Sequence, residues 1–255
     1  MQVSPEKDWH EDKDILDPMR GTKKFQSVHI VMVYSTCYYQ YASMHGYDKA
    51  GRRAVVRKYG SLPFFVRVFI RLRLAILPLE EVEAMVPSGI VADIGCGYGI
   101  LSHYMAYKDS HRSIIGIEYN SLLVNRANQT VGHKNRVRFM YGNAEMLSLQ
   151  KYNGVVFCDI LHHLSLQGQE QSIIAARASL LLGGRIIIKD IEKEQSIYYY
   201  WNLFHDRVLR FSGPTHHRTA REWAVMLSGL GLRIIEERCF RHFLYNHSSI
   251  VAERL

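Results

Sequence analysis

Three glycines alternate at Gly95, Gly97 and Gly99 behind an acid, Asp93, and a second acid, Glu118, stands 19 residues beyond the last of them. Glycine tolerates positive φ and lets the backbone pass close to a ligand. A glycine loop between a strand and a helix is how an α/β domain cradles a nucleotide. An acid about 20 residues further on is placed to accept hydrogen bonds from ribose hydroxyls, and Glu118 fits that role. The loop is not the dinucleotide pattern G-x-G-x-x-G, whose third glycine would fall at Ile100. A second cluster, Asp159-Ile160-Leu161-His162-His163, joins an acid to two imidazoles. Imidazole titrates near neutral pH, so His162 or His163 is a candidate to take a proton from a reacting group. The competing reading is that they hydrogen-bond the backbone and shape a pocket.

These groups need elements to hold them. Ile90–Ala92 is an apolar run that predicts a short buried strand ending near Asp93. Ile100–Ala106 has helical spacing, with Leu101 and Met105 four apart. Ser113–Glu118 predicts the second strand, Ser121–Gln129 a helix, and Arg136–Tyr141 a third strand. Gly154–Asp159 predicts a fourth strand, continued by Ile160–Leu164. Leu180–Leu182 reads as a helix end, Gly183-Gly184 as a turn, and Arg185–Asp190 as a fifth strand. Thr219-Ala220-Arg221-Glu222 is a capping box that starts a helix closed by Gly229 and Gly231. Arg233–Phe240 and Ser249–Glu253 predict two final strands. Strands alternating with helices imply an α/β fold with a parallel, doubly wound sheet.

The run D-x-G-x-G-x-G from Asp93 to Gly99 resembles the first motif of the class I S-adenosylmethionine-dependent methyltransferases, and the likeness extends from about Leu79 to Leu255. It implies a Rossmann-like, mostly parallel seven-stranded sheet with an antiparallel last strand, and S-adenosyl-L-methionine as cofactor. Asp93, Gly95, Gly97, Gly99 and Glu118 would then form one cofactor site. The family commonly has Gly-Asp-Ala after the third strand, where the acid accepts from the adenine amino group. Here Gly142-Asn143-Ala144 stands instead, so Asn143 offers an uncharged amide oxygen beside Ala144, and Glu145 is placed to share the task. D-x-L-H-H-L from Asp159 to Leu164 resembles the fourth motif of small-molecule methyltransferases, including the quinone C-methyltransferases. That likeness sets Asp159 against the cofactor amino group and His162 or His163 against the acceptor. The expected reaction is methyl transfer to an O, N or C atom of a small, apolar or amphiphilic acceptor, lipid-like or quinone-like. The N-P-P-Y motif that holds a nucleic-acid amino group is absent after the fourth strand, so nucleic acid is a weaker expectation. Methylation of RNA or protein is the alternative activity. A further alternative, a cofactor-binding relative without turnover, would show a broken loop or a missing ribose acid, and this sequence has neither.

The rest of the chain is less specific. Residues 1–46 are expected to be an N-terminal extension, and 47–255 the methyltransferase domain. Lys49–Leu79 carries Lys49, Arg52, Arg53, Arg57, Lys58, Arg67, Arg71 and Arg73 and no acid, and its apolar run Phe64–Leu77 is too short and too charged to span a bilayer. One reading is a helix lying at an anionic membrane surface; the other is a packed helix with arginine stems reaching outward. Residues 191–218 interrupt the strand–helix pattern and include the aromatic run Tyr198–His205, expected to cap a substrate pocket. The net charge of +8 suits an anionic partner but does not require one. Four cysteines without C-x-x-C spacing read as reduced cytosolic thiols, and His133, His162, His163, His216 and His217 lack H-E-x-x-H context, so no metal site is expected. The expected location is cytoplasmic, at the inner face of a membrane if the basic helix meets one.

Overall fold

The computed structural model describes residues 46–255 apart from 133–135, 144–146, 148–149, 193–214 and 243–244. Residues 1–45 of the expected extension, Ala144, Glu145 and the aromatic run Tyr198–His205 therefore lie outside the described residues. Seven strands form one sheet in the order β3-β2-β1-β4-β5-β7-β6. They are β1 (Gly89–Ile94), β2 (Arg112–Glu118), β3 (Val137–Tyr141), β4 (Tyr152–Cys158), β5 (Leu180–Ile191), β6 (Leu232–His242) and β7 (Tyr245–Arg254). The first five pair in parallel, and β7 runs antiparallel to both β5 and β6. Both the doubly wound sheet and its antiparallel last strand match the expectation.

Period-2 alternation divides the strands between two cores. Val91, Ile114, Val156, Ile187 and Val251 point to one face of the sheet. Their neighbours Ala92, Ile115, Val155, Phe157, Ile186, Ile188, Ile250 and Ala252 point to the other. Helices cover both faces, as strands that are apolar on both sides require. The first core takes in residues of α1 (Lys49–Lys58), α2 (Phe64–Ile76), α3 (Leu79–Met85), α4 (Ile100–Lys108) and α5 (Ser121–Asn128). The second takes in α6 (Leu166–Ser179) and α7 (Ala220–Gly229). The predicted capping box is present: Thr219 accepts from the Glu222 backbone N–H, and the Glu222 carboxylate accepts from that of Thr219.

Two expected boundaries are corrected. β4 stops at Cys158 instead of continuing through Leu164, because Asp159 takes a left-handed backbone at φ +54° and Leu161–His163 then form a 3-10 turn. Leu180–Leu182 are not a helix end but the start of β5. Leu180 pairs with Tyr152, and the next pair is Arg185 with Gly154, so the residues around Gly183 bulge out of the ladder. Among the cysteines, Cys96 and Cys158 are free, but Cys239 is disulfide-bonded, which corrects the expectation for that thiol.

The basic lead-in resolves into three helices tied together by Arg52. Its buried guanidinium pairs with Glu80 and donates to the carbonyl oxygens of Leu74 and Leu77, satisfying groups that the end of α2 leaves open. Asp48 caps α1 by accepting from the Gly51 N–H at 2.8 Å. Ile70 and Leu74 anchor α2 in the core, while Phe64, Phe65 and Leu72 are exposed. Among the described residues, no helix is long and apolar enough to cross a membrane.

Candidate active site

The sheet reverses its strand order between β1 and β4, and their carboxyl ends meet there. Such a switch point opens a crevice for a ligand. Gly95, Gly97 and Gly99 follow β1, all at positive φ (+70°, +55° and +78°). The Gly95 N–H donates to the Ile117 carbonyl at 2.8 Å, and that of Gly99 to the Cys96 carbonyl at 2.8 Å. The three glycines differ in what a side chain would meet. A Cβ on Gly95 would lie 2.5 Å from Ile160, and one on Gly99 would lie 2.2 Å from Phe139. A Cβ on Gly97 meets nothing within 4 Å. Two glycines thus let the loop pack on its own domain, and the third leaves room above it.

Glu118 ends β2 and is buried. One carboxylate oxygen accepts from the Gly97 N–H at 3.0 Å and the other from the Asn120 N–H at 2.9 Å. A carboxylate offers about four lone-pair sites, so each oxygen can still accept from a hydroxyl. Asp93 is 2 % exposed and accepts a hydrogen bond from the Ser102 hydroxyl on α4. Burial pushes its carboxyl up from 3.8 to about 7; the Ser102 bond opposes the rise and the charge of Glu118 adds to it. A folded-state value above the unfolded one contributes stability in full below 3.8, and that contribution is lost as pH rises through about 7. Asp93→Asn keeps an acceptor for Ser102 and removes the titration. We expect its unfolding free energy, measured in urea between pH 5 and 8, to depend less on pH than that of the parent; parallel curves would show that Asp93 is ionised throughout.

Asp159 stands just past the end of β4, where its amide donates to the Lys189 carbonyl at 2.9 Å. Its carboxylate meets Lys189 Nζ at 2.6 Å and an Arg73 guanidinium nitrogen at 3.1 Å. Burial alone would raise its pKa, but the charges of Lys189, Arg73 and His247 outweigh burial and hold it far below the carboxylate range. Lys189 has no exposed side-chain surface, so this is a buried ion pair with a partly exposed third member from α2.

A cavity of about 850 Å³ joins these groups. Asp93, Gly95, Gly97, Glu118 and Asp159 line it together. Asn143 is exposed and outside the lining, and Gly99 sits behind it at the N-terminus of α4. The two histidines separate: His163 lines the cavity, while His162 is buried behind it. A His162 ring nitrogen contacts the Asp190 carboxylate, and its ring lies 4.1 Å from that of His163 and stacks on His217 at 5.0 Å.

Several lining residues went unnoticed in the sequence. His216 is one, and its backbone N–H donates to the His162 carbonyl at 2.8 Å. Phe69, Arg73 and Leu77 are others, spaced four apart on one side of α2, with Phe69 5.5 Å ring to ring from Tyr98 of the glycine loop. That spacing was the available signal.

Residues 91–184, which hold the loop, Glu118 and Asp159, match the family model described as "Methyltransferase domain". Residues 91–184 therefore carry a methyltransferase domain. No curated protein matches it by sequence. Solved structures are similar to the methyltransferase in fold. One is a SAM-dependent methyltransferase from Methanosarcina mazei, 20% identical, TM-score 0.56, covering 70% of this chain and 98% of that one. Another is the magnesium protoporphyrin IX methyltransferase of Synechocystis PCC 6803 with bound SAH, 20% identical, TM-score 0.59, covering 80% and 93%. A third is an O-methyltransferase family 2 protein from Planctomyces limnophilus in complex with apigenin, 16% identical, TM-score 0.59, covering 82% and 66%. The methyltransferase domain thus has its cavity where a doubly wound sheet places a ligand.

Proposed function

We propose that this methyltransferase transfers the methyl group of S-adenosyl-L-methionine to an O, N or C atom of a small apolar or amphiphilic acceptor. The observation that carries the reading is that one cavity joins the glycine loop and Glu118 to an imidazole, His163, and to the apolar side chains of Phe69, Leu77 and Ile160. Its volume is in the range of small-molecule sites. The Synechocystis protein, crystallised with SAH, and the Planctomyces protein, in complex with apigenin, support a cofactor and a small ring-bearing ligand as what a domain of this fold holds.

The cofactor supplies an activated methyl group when bound. Glu118 would accept from the ribose hydroxyls, and the Gly95–Gly99 backbone would approach the ligand where Gly97 leaves room. Asp93 would hold the loop through Ser102, and Asp159 would face the amino group. The chain's remaining task is alignment of acceptor and methyl group, which can lower a barrier by roughly 7–11 kcal/mol. His163 would take the acceptor's proton. His162, held by Asp190, would position the His163 ring beside it.

His163→Gln should lower turnover by about a hundredfold, the low end for a general base, with S-adenosylhomocysteine affinity unchanged. Unchanged turnover would make His163 a pocket wall. The reading as a whole is tested by incubating the protein with methyl-labelled cofactor and fractionated cell extract. Label is expected in lipid or small-molecule fractions. Label in RNA or protein would overturn the acceptor class, and absence of S-adenosylhomocysteine binding by calorimetry would overturn the cofactor.

A further inference from the structure

A second cavity, of about 520 Å³, opens between α1 and α2. Lys49, Arg53, Arg57 and Arg71 line it, all four are exposed, and no acid does. The acids on this side are already held, Glu80 by Arg52 and Asp48 by Lys108. Four cations around one groove suit a phosphate anion.

The position of this groove on α2 gives it meaning. A helix turns about 100° per residue. Arg71, Leu74 and Ala75 therefore form one flank of α2, facing the basic groove. Phe69 and Arg73 form another, walling the cofactor cavity. The arc between them carries Phe65, Val68 and Leu72, of which Phe65 is 83% exposed and Leu72 62%, and Phe64, 61% exposed, stands beside it in the first turn of the helix. An exposed apolar stripe with cations along its edge is the composition of a helix lying in a lipid interface.

We propose that α2 is an interfacial helix. Phosphate headgroups of an anionic bilayer seat in the α1–α2 groove, the stripe Phe64–Phe65–Leu72 enters the acyl boundary, and the mouth of the cofactor cavity faces the membrane beside Phe69 and Arg73. An amphiphilic acceptor then passes from lipid into the cavity along α2. This last step rests on the methyltransferase reading above; lipid binding by α2 does not.

Sedimentation of the full chain tests it, with vesicles of phosphatidylcholine alone or mixed with phosphatidylglycerol, at low and high salt. The protein should pellet with the anionic vesicles and be released by salt. Arg71→Glu should weaken partition by about tenfold or more. Phe65→Ser combined with Leu72→Ser should weaken partition onto anionic vesicles at low salt by about tenfold or more, with the remaining binding still salt-sensitive. Arg221→Glu, an exposed charge reversal on α7, should change nothing. Protein that stays in the supernatant with both vesicle types overturns the proposal, as does an Arg71→Glu effect no larger than that of Arg221→Glu. S-adenosylhomocysteine calorimetry on the same preparation separates the two claims: binding there without vesicle binding leaves the methyltransferase reading standing and removes this one.

Discussion

Gly97→Val should lower affinity for S-adenosylhomocysteine by about a hundredfold or more, close to 3 kcal/mol, with the domain still folded. The three loop glycines make this test specific. Side chains at Gly95 or Gly99 would strike Ile160 or Phe139 and disturb packing before they touched any ligand. At Gly97 an added Cβ meets no protein atom within 4 Å. The backbone there, at φ +55°, costs a non-glycine residue about 1–2 kcal/mol, which a domain of this size can carry. Calorimetry beside a thermal melt reads both quantities. A folded variant with full affinity would place the ligand elsewhere.

Lys189→Met should destabilise the domain by about 3–5 kcal/mol in urea unfolding, because it leaves the Asp159 carboxylate buried without its closest partner. Arg73 stays, but it is partly exposed and farther away. Asp159→Asn combined with Lys189→Met should cost less than the two single changes added together, since no lone charge remains. Asparagine suits the test because it tolerates the left-handed backbone that Asp159 adopts. The pH sign follows from the depressed carboxyl: its contribution is present above the ordinary value of 3.8 and lost only as pH falls well below it. The parent should therefore keep this increment through mild acid. Equal stability of Lys189→Met and the parent would refute the buried pair.

Loop glycines, the ribose acid and strand order were legible because each depends on local pattern. Gly95, Gly97 and Gly99 sit between a buried strand and a helix, and Glu118 follows at a set distance. What stayed hidden depends on contacts between distant segments. Arg73 looks like one of a run of surface arginines until α2 packs it against Asp159, 86 residues away. Arg52 looks the same until three helices close around it. His162 and His163 are adjacent in sequence, yet the 3-10 turn after Asp159 sends one toward Asp190 and the other toward the cavity. The bulge at Gly183 was missed because glycine pairs signal turns and bulges alike.

β7 lies between β5 and β6, although the chain makes β6 first. During synthesis β6 has no neighbour to pair with until β7 has emerged and wedged itself in. Until then β5, with its buried Ile186, Ile187 and Ile188, offers a bare apolar edge. An open edge of that kind invites pairing with another nascent chain. The sheet is thus completed from the inside, and only after both of its last strands have been made.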